Sequence, residues 1–380
     1  MIPVRYNFRS LIVRRVGTTM TVLGVALTVA VFVSVLAMVH GLESTFTTTG
    51  EPLNLVVIRT GAQVETNSFF DRDVKQTIET MDGVEAMAAE IVVIINHPRL
   101  TGETTNLIVR GVDAAKSFEL RPKVKLAEGR MFQPGLREVV VSRSVSTRFK
   151  DAGIGDSIKL GRIDWKVVGL FDASRTAHES EIWGGYNEIA QEFERPIYSS
   201  LLIRVPTEAG IQPLRDRITG DRRFRLDVLR EPEYYEAQTA TAGPIRVLGY
   251  LIAVIMSVGS CFAVMNTMYA ATAYRAREIA TLRVLGFKRR AILGSFMIES
   301  LVLSLIGGVA GCLLALPMNG ISTGTSNFVT FSEVVFEFQV TPALMLTGLA
   351  FAAIMGTVGG FLPARIAART TIIRALRTEV

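Results

Sequence analysis

Residues 18–39 read TTMTVLGVALTVAVFVSVLAMV, a run of 22 positions without a charged side chain. A helix needs roughly 20 apolar residues to cross a bilayer, and soluble helices rarely lack a polar face altogether. Three further runs have the same character, because 247–274 and 338–364 hold no charged residue and 291–332 holds one, Glu299. The sequence therefore predicts a membrane protein. A disordered chain is excluded, since 49% of the 380 residues are apolar and only 20% are charged.

The uncharged runs divide the chain into helices and connecting segments. The run 291–332 is too long for one helix, and Pro317 and Gly320 are expected to end that helix. The first run is longer than a signal-peptide core of about 7–15 residues, which favours an uncleaved helix. The expected fold is four transmembrane α-helices with a large mixed α/β extracytoplasmic domain between the first two. The expected segments are an N-terminal segment 1–17, helix one 18–40, the outer domain 41–243, helix two 244–270, a coupling segment 271–291, helix three 292–316, an outer loop 317–341, helix four 342–362 and a basic tail 363–380.

Arginine and lysine predict the orientation of the helices. Segments 1–17, 271–291 and 363–380 together hold 14 basic residues and two acids, whereas 317–341 holds two acids and no basic residue. Loops rich in Arg and Lys stay in the cytoplasm. Both termini and the coupling segment are therefore expected in the cytoplasm and 41–243 outside it. The basic sequence pI of about 9.4 thus reflects membrane orientation, and nucleic-acid binding is not expected.

The outer domain, 41–243, holds 26 basic and 30 acidic residues and no cysteine. Helical spacing predicts helices over 71–81 and 211–218, and β-branched runs bounded by turn residues predict strands. The expected strands are 53–58, 91–95, 106–112, 139–141, 157–160, 165–171 and 200–205. The middle, about 127–190, is expected to form a β-rich subdomain inserted into the outer one. The acidic residues are scattered singly, which is typical of a solvated surface.

Motifs for catalysis or cofactor binding are scarce in this sequence. The three histidines, His40, His97 and His178, lack metal-binding spacing. Because the sequence has no Gly-Lys dipeptide, it has no P-loop to hold nucleotide phosphates. No catalytic residue, metal or cofactor is expected in this chain, which is not expected to be an enzyme. Cys261 and Cys312 fall within expected helices, where free cysteine acts as a small apolar packing residue.

The coupling segment carries the sharpest signal. Residues 275–286 read RAREIATLRVLG, in which Ile279, Leu282 and Leu285 form an apolar stripe on a short helix. Three arginines flank the stripe, and a glycine follows at a position suited to ending the helix. These residues are Arg275, Arg277, Arg283 and Gly286. The spacing leaves two interpretations open: a helix resting on acidic lipid headgroups, or a helix docking into a groove of a partner protein.

The same region resembles the MacB/FtsX-like permeases of ABC transporters. The resemblance rests on N-T-M at 266–268, the 275–286 stretch, F-M-I-E-S at 296–300 and G-G-V-A-G at 307–311. The tail adds L-P-A-R at 362–365 and A-L-R at 375–377, and the outer domain adds L-A-E-G-R-M-F at 126–132 and the stretch 155–170. The chain departs from the family pattern at Ala280, Val284 and Ile372, where the family commonly has glycine, alanine and proline.

The resemblance implies a mechanism as well as a fold. Such permeases work as dimers, here expected to be homodimers, in the bacterial cytoplasmic (inner) membrane. A separate P-loop ABC ATPase subunit would bind ATP and Mg. Its closure would push on the coupling helix, and the membrane helices would relay that movement to the outer domain, which is called mechanotransmission. Ile279, Leu282 and Leu285 would dock on the ATPase, with Arg275, Arg277 and Glu278 fixing the register. Arg283 and Gly286 complete the expected contact region. Some members also use a periplasmic adaptor and an outer-membrane channel.

Glu299 and two glycine stripes are the remaining candidates. An intramembrane carboxylate is a functional candidate, but Glu299 lies only about two turns into the expected third helix. The favoured interpretation is therefore a near-interface residue paired with a basic neighbour such as Arg275 or Lys288. The glycine stripes allow close helix contact and are expected to shape packing within the chain. Their members are Gly307, Gly308 and Gly311 in helix three and Gly356, Gly359 and Gly360 in helix four.

Two functions from different classes stay open. The first is an ABC permease that exports or extracts a substrate from the outer face of the membrane. The second is an FtsX-like signalling permease that activates a cell-wall hydrolase, although outer domains of that type tend to be smaller than 41–243. A secondary transporter is disfavoured, because it would need paired intramembrane charges or inverted repeats.

Overall fold

A computed structural model describes residues 15–221, 223–327 and 329–369. Arg5, Arg9 and Arg14 and the A-L-R ending at 375–377 lie outside these residues. Within the described chain, the contacts divide into two compact units. The membrane unit comprises residues up to His40, Pro244–Ile321 and the residues from Phe338 onward, and the outer unit comprises Gly41–Gly243 and Ser322–Glu337.

The helices are, in chain order, α1 (Arg15–Thr47), α2 (Arg72–Glu79), α3 (Ala114–Leu120), α4 (Arg143–Arg148), α5 (Tyr186–Glu192), α6 (Ile211–Gly220), α7 (Glu231–Gln238), α8 (Ala242–Tyr274), α9 (Ala276–Val284), α10 (Arg289–Ala315) and α11 (Pro342–Arg369). The strands are β1 (Asn54–Arg59), β2 (Ala86–Pro98), β3 (Thr104–Val112), β4 (Lys125–Gly129), β5 (Glu138–Ser142), β6 (Ser157–Leu160), β7 (Ile163–Asp172), β8 (Glu181–Gly185), β9 (Ser200–Arg204), β10 (Leu226–Arg230), β11 (Ser322–Ser326) and β12 (Glu333–Glu337).

In the described part of the chain, four helices are long and apolar enough to cross a membrane: α1, α8, α10 and α11. Each extends beyond the span expected from the uncharged runs, because charge ends an apolar run without ending a helix. Helix α11, for example, continues through Pro363 to Arg369. The expected tail therefore begins inside a helix.

The membrane unit packs these helices around small side chains. Valines of α1, among them Val25 and Val29, lie against α10 and α11 in one buried cluster that also holds Phe296 and Met355. Between α1 and α8, the hydroxyls of Thr28 and Ser260 form a buried hydrogen bond. In lipid there is little hydrophobic force between helices, so close packing and such polar contacts hold the bundle together.

The outer unit is built on one mixed sheet with the strand order β10-β1-β9-β2-β3-β8-β5-β7-β4, and β6 pairs with β7. Strand β2 connects the two halves of the sheet, because Ala86–Glu90 pair with β9 and Ile91–Pro98 pair with β3. Most pairs are antiparallel, whereas β3–β8 and β5–β7 are parallel. The seven strands expected from β-branched runs are confirmed, and β4, β8, β10, β11 and β12 are additional.

Two apolar cores lie on either side of strand β2 in the sheet order. One draws its residues from both ends of the domain, including Leu55, Ile78 and Leu201, and the other comes from the middle, including Val139 and Trp165. The middle core begins at Ile91, earlier in the chain than the expected subdomain at 127–190, because β2 and β3 contribute side chains to it.

The segment expected as an outer loop, 317–341, contains a β-hairpin of β11 and β12. The hairpin belongs to the outer unit although it connects two membrane helices, α10 and α11. The sequence of β11, STGTS, is polar and glycine-containing, so it gives no strand signal of its own.

Candidate functional site

The coupling helix α9 lies between the second and third membrane helices and spans Ala276–Val284. Arg275 stands at the joint with α8: its N–H donates to Ala271 O, and its carbonyl accepts from Ile279 N. At the other end Gly286 adopts a φ of +87°, and Phe287 N donates back to Leu282 O. This is a Schellman-type ending, in which a left-handed glycine satisfies the last carbonyls of the helix.

The apolar stripe of α9 is divided between two faces. Ile279 is buried in the core of the membrane unit, Leu282 is half-buried, and Leu285 is 70% exposed. The division follows from helical geometry, since six residues at 3.6 per turn place Leu285 about 120° around the axis from Ile279. Val284 and the charged Glu278 are also exposed. The exposed apolar surface of α9 is therefore at its C-terminal end.

The flanking polar residues of α9 also differ in exposure. Arg277 is exposed and Arg283 is half-buried, whereas Arg275 is buried. Arg275 Nη1 donates to Glu299 Oε2 at 2.9 Å, and Arg275 Nε donates to Glu278 Oε2 at 3.2 Å. Glu299 is 3% exposed. Of the two basic partners considered for Glu299 from the sequence, the structure places Arg275 against it.

The candidate glycines all face helices of this same chain. Added Cβ atoms would contact α1 at Gly307 and Gly311, and α11 at Gly308. On α11, Gly356 and Gly360 face Ser300 and Ser304 of α10, while Gly359 faces Cys261 and Val264 of α8. The stripes therefore bring α10 against both α1 and α11.

A buried ionic cluster lies in the outer unit and has no counterpart in the sequence-based expectations. Arg110 on β3 is 2% exposed and contacts three carboxylates. It donates to Glu181 at 2.8 Å through two nitrogens, to Glu65 at 3.0 Å, and to Glu90 at 2.7 Å. Arg121 adds a second guanidinium on Glu90, so one carboxylate bridges two arginines.

Burial and charge act in opposite directions on these carboxylates. Burial alone would raise the pKa of Glu90, but the guanidiniums of Arg121 and Arg110 outweigh it and hold that pKa at about 2. At Glu231 burial prevails and the pKa is raised, because Arg121 and the Glu51 N–H offset it only in part. Burial would likewise raise the pKa of Glu181, but Arg110 and His178 lower it well below its ordinary value. The cluster therefore includes two strongly stabilised carboxylates and one disfavoured carboxylate.

This cluster corrects the expectation that the outer acids are solvated. Glu65, Glu90, Glu181 and Glu231 are all buried. The sequence does contain one indication of this cluster, because Arg110 is a charged residue within the apolar strand run NLIVRGV. Such a charge needs a buried partner.

A second ionic contact fixes the hairpin to the rest of the outer unit. Glu333 on β12 is 1% exposed. Its carboxylate oxygens form ion pairs with Arg99 Nη2 at 2.6 Å and Arg148 Nη2 at 2.5 Å. The backbone N–H of Val335 also donates to Ser180 Oγ at 2.7 Å. The connection between α10 and α11 is therefore an integral part of the outer unit.

The L-A-E-G-R-M-F stretch at 126–132 serves the fold. Gly129 has a φ of +75° and lies against the Val168 carbonyl, which leaves no room for a Cβ. Arg130 pairs with Glu138, and Phe132 is buried. Each of these side chains has a structural partner, so this stretch carries no separate chemistry.

The described residues contain no group of three His, Cys, Asp or Glu side chains placed to hold a metal ion. His97 Nε2 contacts the Lys150 carbonyl, and His178 lies beside Glu181 in the ionic cluster. The outer unit has an open cavity of about 440 Å³ between α2, α3 and α5, lined by Lys75, Tyr186 and other side chains.

Two family models match the chain. One is described as a MacB-like periplasmic core domain and matches residues 18–220, and the other is described as an FtsX-like permease C-terminal and matches residues 250–372.

Two curated relatives illustrate the similarity. A pyoverdine export ATP-binding/permease protein of Pseudomonas entomophila is 26% identical over 98% of this chain and 59% of its own length. A macrolide export ATP-binding/permease protein of Pasteurella multocida is 26% identical over 74% of this chain and 44% of its own length. The chain therefore spans about half the length of these relatives.

Two solved structures with similarity to this chain are of a periplasmic region and an extracellular domain. The periplasmic region of MacB from Actinobacillus actinomycetemcomitans has a TM-score of 0.39 and 8% identity, covering 48% of this chain and 91% of that one. The extracellular domain of the transporter YknZ from Gram-positive bacteria has a TM-score of 0.38 and 17% identity, and the match covers 46% of this chain and 99% of that one.

Proposed function

Because this chain belongs to the MacB/FtsX-like permease family, we propose that it is the permease subunit of an ABC transporter powered by a separate P-loop ATPase. The printed sequence has no Gly-Lys dipeptide, so ATP and Mg would be bound by another polypeptide. In this proposal two copies of the permease work together in a bacterial cytoplasmic membrane, with both termini and α9 in the cytoplasm. The distribution of Arg and Lys supports that orientation.

The observation that carries the proposal is the asymmetry of α9. One side, with Arg275 and Ile279, is buried in the membrane unit, and the other end exposes Val284 and Leu285. A short helix that is anchored on one side and apolar on the other is suited to docking in a groove of a partner. Leu285 and Leu282 are therefore the proposed ATPase contacts, and Ile279 supports them from within.

The work of the transporter is proposed to take place at the outer face. The relatives are named as exporters of macrolides and of pyoverdine. These are different chemicals, and their shared feature is export. We assign the chain the export or extraction of a substrate by movement of its outer unit, with an adaptor and an outer-membrane channel as further partners to be tested.

The test is purification of the tagged full chain in mild detergent with identification of bound proteins. Wild type should retain a P-loop ATPase, and Leu285→Asp and Leu282→Asp should lose most of it, because a buried carboxylate opposes docking. Leu126→Asp is the matched control, since Leu126 is an exposed leucine of the outer unit. Equal ATPase retention in all variants would contradict docking through α9. Recovery of a cell-wall hydrolase in place of an adaptor would support signalling.

A further inference from the structure

Arg275 occupies a three-way junction in the membrane unit. Its backbone belongs to the last turn of α8 and the first turn of α9 through hydrogen bonds to Ala271 and Ile279. Its side chain reaches a third helix, α10, where Nη1 donates to Glu299 at 2.9 Å. The guanidinium also lies 5.2 Å from the ring centroid of Phe296, one turn before Glu299. One residue thus joins the coupling helix to both neighbouring membrane helices.

The side chain at this junction must be an arginine for geometric reasons. The guanidinium uses two different nitrogens, Nε toward Glu278 and Nη1 toward Glu299. A planar fork holds two acceptors in fixed directions, whereas a lysine ammonium is a single point on a flexible stem. Glu278 is 53% exposed by its side chain and Glu299 is 3% exposed, so the fork connects the outward surface of α9 to the interior of α10.

The covalent connection between α9 and α10 is a turn. It runs through Leu285–Lys288 and includes Gly286 in the left-handed region. Glycine is conformationally permissive, so a contact outside the turn adds a restraint on α10 relative to α9. The ion pair bypasses that turn, since it joins the start of α9 to α10 at a residue about 15 Å along α10 by helical rise. A buried pair of this kind is held firmly, because separating it leaves a charge without a partner.

We infer that Arg275 and Glu299 are positioning residues that deliver displacement of the coupling helix to the third membrane helix. This inference rests on the proposed function and deepens it. Arg275 then acts inside the permease, and the ATPase contact belongs to the exposed end of α9. From α10 the chain continues through a 3-10 turn, Leu316–Met318, and Gly320 into the β11–β12 hairpin of the outer unit, so α10 and the hairpin are covalently joined through six residues.

The test uses the complete permease–ATPase complex in detergent or nanodiscs. Hydrogen–deuterium exchange of residues 322–337 is compared with and without a non-hydrolysable ATP analogue, alongside ATPase co-purification. Glu299→Gln should keep the ATPase bound and reduce the nucleotide-dependent exchange difference at least threefold. Ser260→Ala is the control, because it removes a buried hydrogen bond between α1 and α8 while leaving the link to α10, and it should retain the wild-type difference.

Two further variants separate positioning from a purely structural role. The charge-swapped double variant Arg275→Glu with Glu299→Arg should restore at least half of the exchange difference. Arg275→Lys keeps the buried charge compensated, so it should fold, yet it should reduce the difference because the fork is lost. If Glu299→Gln fails to fold, Arg275→Lys decides, and a wild-type response in that variant overturns the inference.

The outcomes distinguish this inference from the proposed function. Absence of an ATPase from wild-type preparations removes the proposed function and the inference with it. An ATPase bound to every variant, together with an undiminished response in Glu299→Gln and Arg275→Lys, overturns the inference alone.

Discussion

The two units each bury an ionic centre, and the two centres are built differently. In the membrane unit one guanidinium, Arg275, meets one membrane carboxylate, Glu299, and the pair joins adjacent helices. In the outer unit Arg110 alone meets three carboxylates, and Arg121 extends the network through Glu90. The first is a link between two elements, and the second is a network across several.

The difference indicates what each centre is suited to. The outer cluster ties together β2, β3, β8, the turn at Glu65 and the start of α7, so local opening of any one would expose several charges at once. Buried polar networks whose charges are paired in this way rigidify a core. The membrane pair is a single contact between α9 and α10. We therefore expect the outer unit to move as one body and the pair at Arg275 to carry displacement of α9 to α10.

The largest expected effect comes from removing the centre of the outer cluster. Arg110→Met should destabilise the outer unit by about 3–5 kcal/mol, because three buried carboxylates lose their shared counter-charge. Limited proteolysis and thermal unfolding of the full chain in detergent would measure it. Arg162→Met is the control, since its pair with Glu194 is highly exposed and should not shift the unfolding midpoint measurably. Similar midpoints for both variants would contradict a structural role for the cluster.

The pH dependence of the same cluster should have two opposing parts. The pKa of Glu90 is about 2 in the folded state against an ordinary 4.5, so its contribution is present above pH 4.5 and is lost as the pH falls toward 2. Such a shift corresponds to about 3 kcal/mol. The pKa of Glu231 is raised, so its protonated carboxylic acid favours folding at low pH and that contribution is lost as the pH rises through the raised value.

Glu90→Gln should therefore lower the free energy of unfolding at pH 7 by about 3 kcal/mol, and Glu231→Gln should leave it unchanged or raise it. The measurement is the unfolding midpoint of each full-length variant at pH 7 and at pH 4. The difference between the variants should shrink at pH 4, where Glu90 contributes less. A shift of both variants in the same direction at pH 7 would show that the assignment of the two carboxylates is wrong.

The pairing of Glu299 with a basic residue in the membrane unit could be anticipated from the sequence, whereas the buried ionic cluster of the outer unit could not. In lipid a helix must be apolar over its whole length, so a run such as 18–39 gives a strong local signal. The coupling helix was likewise visible from the spacing of Ile279, Leu282 and Leu285. Even there the spacing placed three residues on one stripe, while the structure turns Ile279 inward and Leu285 outward.

The outer cluster depends on contacts that are distant in sequence. Arg110 meets Glu65, 45 positions away, and Glu181, 71 positions away. No local pattern encodes those pairs, because strand order and register decide them. The hairpin was missed for a related reason: β11 is polar, and its pairing with β12 becomes favourable only when Glu333 finds Arg99 and Arg148 on the outer unit.

The next effect in size concerns that hairpin. Glu333→Gln should cost about 1–3 kcal/mol locally, because charge-assisted bonds to Arg99 and Arg148 are lost while both arginines retain some access to water. Hydrogen–deuterium exchange should rise in 322–337 with little change in the midpoint of the whole unit. Glu337→Gln is the control, since its partner Arg175 is largely exposed and a smaller increase is expected. Equal exchange in the two variants would contradict anchoring by Glu333.

The smallest effect sharpens the contrast within the membrane unit between a charged and a neutral buried contact. Thr28 and Ser260 share a hydroxyl hydrogen bond between α1 and α8. Measured bonds of this kind in membranes average about 0.6 kcal/mol, because the separated helices find other partners for their hydroxyls. A double-mutant cycle of Thr28→Val and Ser260→Ala, from unfolding in one detergent, should give a coupling of that size.

Thr28→Val with Ser257→Ala is the control cycle, since Ser257 bonds within its own helix, and its coupling should be near zero. A Thr28–Ser260 coupling as large as that of Arg275 with Glu299 would show that charge is not what distinguishes the junction, because the ion pair cannot exchange its partner for lipid.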